Sequence, residues 1–189
     1  MSQQLKQIQA ILLKEANPAA KSAHEKFVPG DEKIYGVRNP ALNKLASTFS
    51  NGGFKLVEEL WTAGSLEEKL LAVKMLGKIA KQDPKMSIQL VQQFAENMGN
   101  WAVCDAIGMQ ALKPVVKTHQ EEIFALAKKY NSSTDPWQRR LSLILVEWYT
   151  RIPGLRPAII QLAGTLENDK EYYVKKAVVW IKRNLEKGK

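Results

Sequence analysis

An aromatic side chain and a carboxylate stand one helical turn apart in the middle of the chain, at Trp101 and Asp105. Asn100 precedes them, and asparagine at such a position accepts a hydrogen bond from a backbone N–H at a helix start. Because residues four apart share a helix face, the pair could hold a cation against the indole ring beside a negative charge. The alternative, from this stretch alone, is a core tryptophan and a solvated aspartate.

Two later helices repeat the combination of an aromatic residue with a charged one. Trp137 and Arg140 lie three residues apart at a predicted helix start, where an arginine near exposed backbone N–H groups suits a phosphate. Near the end of the chain, Tyr173, Lys176 and Trp180 follow helical spacing and line one face. Rings interleaved with lysines are typical of nucleic-acid surfaces, although a core tryptophan with solvated charges and an ordinary amphipathic helix give the same patterns.

The elements that position these residues are all predicted to be helices, because apolar residues recur every three or four positions and no stretch alternates with period two. Asn17-Pro18 and Asp83-Pro84 are helix starts, and Ser65 with Glu68 forms a capping box. Residues 28–36 form a loop. The predicted helices cover residues 3–16, 17–27, 38–50, 54–61, 66–79, 84–97, 100 to a break or kink at Pro114, 121–130, 137–150, 155–166 and 170–186, the last capped by Asp169.

This pattern of roughly ten or eleven paired helices, repeating at about 40 residues, favours an all-α fold, an α-solenoid of HEAT-like repeats with a concave binding surface. A compact irregular bundle is the alternative. No linker divides the chain, so we expect one domain over residues 1–189. Helices of one layer would line the concave surface and bring Trp101, Asp105, Arg140 and Trp180 together.

The charge balance restricts the class of partner. Lysine and arginine outnumber aspartate and glutamate by 28 to 19, and the net charge of +9 indicates nucleic acid before an anionic membrane, unless it serves solubility alone. Cys104 is the one cysteine, which excludes an internal disulfide. His24 and His119 are far apart in sequence and do not have the spacing of a metal-binding pair. Without a signal-peptide stretch or a membrane-spanning apolar run, we expect a cytoplasmic protein that needs no metal or organic cofactor.

Five stretches, taken in order, resemble the DNA alkylation repair family of HEAT-like glycosylases, the AlkD type. Trp101-x-x-x-Asp105 matches the family's Trp-x-x-x-Asp, and Trp137-x-x-Arg140 matches its Trp-x-x-Arg. The other three are a helix entry at residues 35–42, a Leu-Trp followed by acidic residues within 60–68, and an aromatic-rich final motif at 172–180.

The resemblance implies a monofunctional DNA glycosylase that excises purines alkylated at N3 or N7 from duplex DNA in base excision repair. Asp105 would be the catalytic carboxylate, Trp101 and Trp180 would hold the lesion, and Arg140 would contact the DNA backbone. The resemblance further implies that the base need not be flipped into a closed pocket, unlike the base in most base-modifying enzymes.

The lesion- and DNA-binding set also includes Tyr173, Lys176 and Phe27, which falls where the family has an aromatic residue, often tyrosine. The chain departs from the family at two positions. Ala102 follows the first tryptophan, where an acidic residue is frequent, and Val179 stands where glycine often precedes the last tryptophan.

Some relatives in this fold bind DNA or have lost glycosylase activity. The alternative is therefore a non-catalytic HEAT-like protein that binds damaged or branched DNA by shape and charge. A third hypothesis is a helical-repeat scaffold for a protein partner. For the glycosylase we expect a monomer without an obligate protein partner.

Overall fold

The computed structural model describes residues 1–30 and 32–187, and every regular element in that part of the chain is helical, as predicted. No helix there is long and apolar enough to cross a membrane. The eleven α-helices are α1 (Gln3–Lys14), α2 (Pro18–Phe27), α3 (Asn39–Thr48), α4 (Gly53–Ala63), α5 (Leu66–Ile79), α6 (Pro84–Glu96), α7 (Trp101–Ala106), α8 (Gln120–Asn131), α9 (Pro136–Leu145), α10 (Arg156–Thr165) and α11 (Tyr172–Lys187).

The helices form two layers. In the inner layer α3, α5, α7, α9 and α11 each pack against the next, and α1, α4, α6, α8 and α10 form the outer layer. Helices α7 and α9 run in the same direction, because Asp105 contacts Arg140 and, farther along both segments, Gly108 lies against Ile144. From α4 onwards the outer helices begin 31 to 36 residues apart, which is shorter than the predicted 40, and the helices build a helical repeat solenoid.

Side-chain caps confirm the main predicted helix starts. The side-chain oxygens of Asn17, Asp83 and Asn100 each accept a hydrogen bond from a backbone N–H in the first turn of the following helix. Ser65 and Glu68 form the reciprocal capping box at the start of α5. Each cap satisfies an N–H group that has no partner inside its helix.

The helix predicted over residues 137–150 is shorter than predicted. Its α-helical part ends at Leu145, and Glu147–Arg151 continues as a 3-10 helix. The tighter winding keeps Tyr149 buried and lets its hydroxyl donate to the carbonyl of Val116 at 2.7 Å. A partner distant in sequence therefore sets this boundary.

The predicted start of the last helix is also wrong. The helix begins at Tyr172 rather than Lys170. Asp169 was predicted to cap it, but the Asp169 carboxylate accepts hydrogen bonds from Nε and Nη2 of Arg139 at 2.6 and 3.2 Å, as well as from the N–H of Glu171. The ion pair holds residues 169–171 outside the helix.

The central helix changes its winding before Pro114, where a break was predicted. After α7, Ile107–Ala111 forms a π-helical turn. A Cβ at Gly108 would lie 2.5 Å from the side chain of Ile144, so the glycine permits a close approach of α7 to α9. This approach brings the carboxylate of Asp105 within hydrogen-bond reach of Arg140.

A buried carboxylate, Glu67, fastens the segment between α2 and α3 to α5. It accepts hydrogen bonds from the backbone N–H groups of Tyr35, Gly36 and Val37 at 2.9, 2.7 and 3.0 Å. Gly36 has a φ of 86°, a backbone conformation that favours glycine. Because buried N–H groups need partners, Glu67 fixes the path of the chain that carries α2 to its place beside α7.

We expect Glu67→Gln to lower the free energy of unfolding by about 1.5 to 3 kcal/mol, since the amide removes charge-assisted hydrogen bonds and points an NH₂ group at backbone donors. Chemical denaturation monitored by circular dichroism measures this difference. The control is Glu58→Gln, because Glu58 is exposed on α4. Equal stability of the two variants would contradict the role of Glu67.

Candidate active site

The bidentate ion pair between Asp105 and Arg140 is the centre of the concave surface. Nε and Nη2 of Arg140 donate to Oδ1 and Oδ2 of Asp105, each at 2.8 Å. Nη1 donates to the backbone carbonyl of Tyr173 at 2.6 Å. One guanidinium therefore joins α7, α9 and the first turn of α11.

The ion pair is only partly withdrawn from solvent. The side chain of Arg140 is 10% exposed and that of Asp105 is 27% exposed. Burial disfavours the charge of Arg140, but its hydrogen bonds to Asp105 and the aspartate's charge outweigh burial and raise the pKa of the guanidinium. The carboxylate is thus held along one edge and keeps accessible lone pairs on the other.

The neighbouring cysteine takes no nucleophilic role in this arrangement. Cys104 is fully buried, and burial, followed by the charge of Asp105, raises the pKa of its thiol well above the usual value. Its Sγ lies 3.6 Å from the carbonyl oxygen of Trp137. A neutral buried thiol is a packing group.

A cleft of about 310 Å³ opens on one side of Asp105. We call it the Phe27 cleft; its walls include Phe27, Lys74, Trp101, Asp105 and Met109. The indole Nε1 of Trp101 donates to the carbonyl of Phe27 at 2.9 Å, which fixes the ring at the end of α2. The side chain of Phe27 is 63% exposed, an unusual position for a large apolar ring.

A second hollow of about 650 Å³ opens on the other side of Asp105. We call it the Trp180 depression; it is lined by Asp105, Arg140, Tyr172, Lys175, Lys176, Val179, Trp180 and Arg183. Its wall on α11 is cationic and aromatic, and the ammonium of Lys176 lies 5.1 Å from the ring centre of Tyr172. An anionic chain with flat rings suits such a wall.

Asp105 lines both hollows and is therefore near each of the two tryptophans that the sequence grouped with it. It shares the Phe27 cleft with Trp101 and the Trp180 depression with Trp180. The structure brings Asp105 and Arg140 into direct contact. Neither hollow is an enclosed cavity.

Tyr173 lies elsewhere than the helical spacing indicated. Its ring is half-buried and packs against Trp137 with ring centres 5.2 Å apart. The neighbouring Tyr172 is 58% exposed and lines the Trp180 depression instead. Lys176 and Trp180 of the expected face line the depression together with Lys175 and Arg183, which the sequence analysis did not include, so the lining face of α11 is wider than expected.

Lys74 is the further candidate that the sequence did not single out. Its Nζ donates to the side-chain oxygens of Asn43 and Gln110 at 2.9 and 3.3 Å. Burial, with a smaller contribution from Lys78, lowers its pKa. Among the residues that the structure describes, no group of three or more His, Cys, Asp and Glu could hold a metal ion.

Comparison with known proteins adds one match. A family model described as DNA alkylation repair enzyme matches residues 8–188, which is nearly the whole chain. No curated protein matches the chain significantly.

We expect Arg140→Lys to lower the free energy of unfolding by about 1 to 3 kcal/mol, because lysine cannot reproduce the planar fork that holds Asp105 and the Tyr173 carbonyl together. Urea denaturation measures the difference. Arg183→Lys is the matched control, since Arg183 is exposed on α11. An Arg140→Lys variant as stable as the native protein would show that the fork does not hold the three helices.

Proposed function

The chain belongs to the DNA alkylation repair enzyme family, and from that premise we propose that it is a DNA glycosylase that excises N3- and N7-alkylated purines from duplex DNA. The observation that carries the proposal is the position of Asp105. Its carboxylate is oriented by Arg140, stays 27% exposed and lies between an aromatic cleft and a cationic depression.

The chemistry requires little from the protein beyond a well-placed negative charge. Alkylation at N3 or N7 makes the purine cationic and therefore a good leaving group. When the C1′–N bond breaks, its electron pair neutralises the base, and positive charge develops on the deoxyribose. A carboxylate beside the sugar stabilises this oxocarbenium-like state. Water then adds at C1′, its proton passes to Asp105 or to solvent, and an abasic site remains.

The aromatic residues provide the surface for the cationic nucleotide. Trp101 and Trp180 each line one of the two hollows that contain Asp105, so a lesion in either hollow meets an indole near the carboxylate. Each cation–π contact contributes about 0.5 to 2 kcal/mol, and desolvation strengthens it. The exposed ring of Phe27 extends the apolar wall next to Trp101.

The DNA backbone is held by cations along α11. Lys175, Lys176 and Arg183 are exposed at the rim of the Trp180 depression. Arg140 orients Asp105 and also faces this depression, where it adds positive charge next to the phosphate beside the lesion. Tyr173 stabilises this wall, because its ring packs against Trp137 and its backbone carbonyl accepts a hydrogen bond from Arg140.

We assign the enzyme a monofunctional reaction, without a covalent lyase step. Lys74 is the lysine that shares the Phe27 cleft with Asp105, and Asn43 and Gln110 hold its ammonium. An amine tied to two acceptors is poorly placed to attack C1′. The resting monomer supplies every residue of this mechanism.

A second candidate function is non-catalytic binding of damaged or branched DNA. The observation that favours it is that both oxygens of Asp105 already accept hydrogen bonds from Arg140. In that case the ion pair only stabilises the packing of the helices, and the cationic groove alone binds the DNA. Base release separates the two functions.

We expect the native protein to release 7-methylguanine and 3-methyladenine from methylated duplex DNA. Asp105→Asn should lower the rate by about 100-fold or more, because the neutral amide cannot stabilise the charge on the sugar. Chromatography of the released bases under single-turnover conditions measures both rates. Addition of borohydride should trap no covalent protein–DNA adduct.

Asp83→Asn is the matched control, since Asp83 caps α6 outside both hollows and asparagine caps a helix start equally well. It should keep the native rate at a temperature where circular dichroism shows both variants folded. Absence of base release by the native protein, with binding to duplex DNA retained, would favour the non-catalytic function.

A further inference from the structure

Beyond the candidate site, four lysines form a band at the far end of the inner helices. Lys78 and Lys81 lie at the end of α5, and Lys113 and Lys117 lie beyond the π-helical turn; all four are exposed. We call them the lysine band. They line two shallow depressions, of about 410 and 780 Å³, that share Lys113 and Pro114.

The described residues that form the surface of the lysine band are cationic or neutral. Of the described residues that line the two depressions, none is acidic. No ion pair within residues 1–30 and 32–187 involves any of the four lysines. Mutual repulsion of such cations is unfavourable in the free protein and is relieved by a polyanion.

An aromatic ring lies within the band. Trp148 is half-buried in the 3-10 helix that follows α9, and the ammonium of Lys117 lies 5.8 Å from its ring centre. Its contact with Tyr149, at 5.5 Å between ring centres, fixes the indole at the edge of the depression. A ring among lysines offers apolar contact to a sugar or base next to the phosphates.

The lysine band is continuous with the candidate site. Lys74, Met109 and Gln110 line both the Phe27 cleft and the smaller depression of the band. A nucleic acid can therefore run from Asp105 to Lys113 without crossing an acidic ridge. Lys113 follows Asp105 by eight residues, which would span about 12 Å at an α-helical rise, and the π-helical turn between them shortens this distance.

This separation favours a second strand rather than the lesion strand. The major groove of B-DNA is about 12 Å wide, so a duplex whose damaged strand lies at Asp105 presents its other strand at about the position of the band. We propose that the lysine band binds the phosphates of the undamaged strand and makes the protein select duplex over single-stranded DNA. This proposal rests on the proposed function in one respect, the position of the damaged strand at Asp105.

The test compares binding of a short unmodified duplex and of one of its strands at several salt concentrations. The variant carries Lys78→Gln, Lys113→Gln and Lys117→Gln together. Because each lost phosphate contact lowers the slope of log K against log salt by about 0.9, the duplex slope should fall by about 2 to 3, and the duplex Kd should rise about tenfold or more. Single-strand binding should stay within about twofold of native.

The charge-matched control carries Lys6→Gln, Lys128→Gln and Lys129→Gln, all exposed on outer helices. It should leave the duplex slope within about one unit of native. Equal losses on duplex and single strand would overturn the proposal, since the band would then hold the damaged strand. An unchanged duplex slope in the band variant would overturn it as well.

Base release measured separately keeps this proposal distinct from the proposed function. If the native protein releases no alkylated base but its duplex binding depends on the lysine band, the proposed role of the band stands and the proposed glycosylase activity is refuted. If the native protein releases alkylated bases but the band variant keeps the native duplex slope, the glycosylase activity stands and the proposed role of the band is refuted.

Discussion

The guanidinium of Arg140 is the point on which the concave surface depends. Its five N–H donors form a fixed planar fork, and three of its atoms bind Asp105 on α7 and the Tyr173 carbonyl on α11. The adjacent Arg139 binds Asp169 and the carbonyls of Ser133 and Thr134. Consecutive arginines on α9 thus anchor α11 at two places.

The same contacts that hold the helices of the groove together therefore also orient the carboxylate of Asp105. If α11 moved, the Trp180 depression would change shape, and Asp105 would lose the donor that orients it. At the other end, Glu67 holds the loop before α3, and the Trp101 indole is bound to the Phe27 carbonyl. The carboxylate lies between two separately supported walls.

Local sequence signals predicted most of the helices correctly. The caps at Asn17, Ser65, Asp83 and Asn100 form because each depends on residues within one turn. The boundaries at Leu145 and Tyr172 were predicted incorrectly, since Tyr149 bonds to Val116 and Asp169 to Arg139. Contacts across 30 or more positions leave no local pattern.

The candidate site was predictable to a similar extent. The spacing of Trp101 and Asp105, and that of Trp137 and Arg140, indicated the two helices that the Asp105–Arg140 ion pair joins. That Asp105 and Arg140 bind each other depends on how closely α7 approaches α9 at Gly108. Helical spacing also favoured Tyr173 over Tyr172, because a rotation of about 100° per residue is within the error of a face assigned from sequence. Only the packed structure distinguishes them.

The central claim is that a fixed negative charge at Asp105 stabilises positive charge on the deoxyribose. The most direct test measures the affinity of the native protein for two duplexes, one with a cationic azasugar and one with an uncharged abasic analogue at the lesion position. At low salt we expect at least about tenfold tighter binding of the cationic duplex, the equivalent of about 1.4 kcal/mol, because only the cationic sugar is attracted by the carboxylate. Equal affinities for the two duplexes would contradict it.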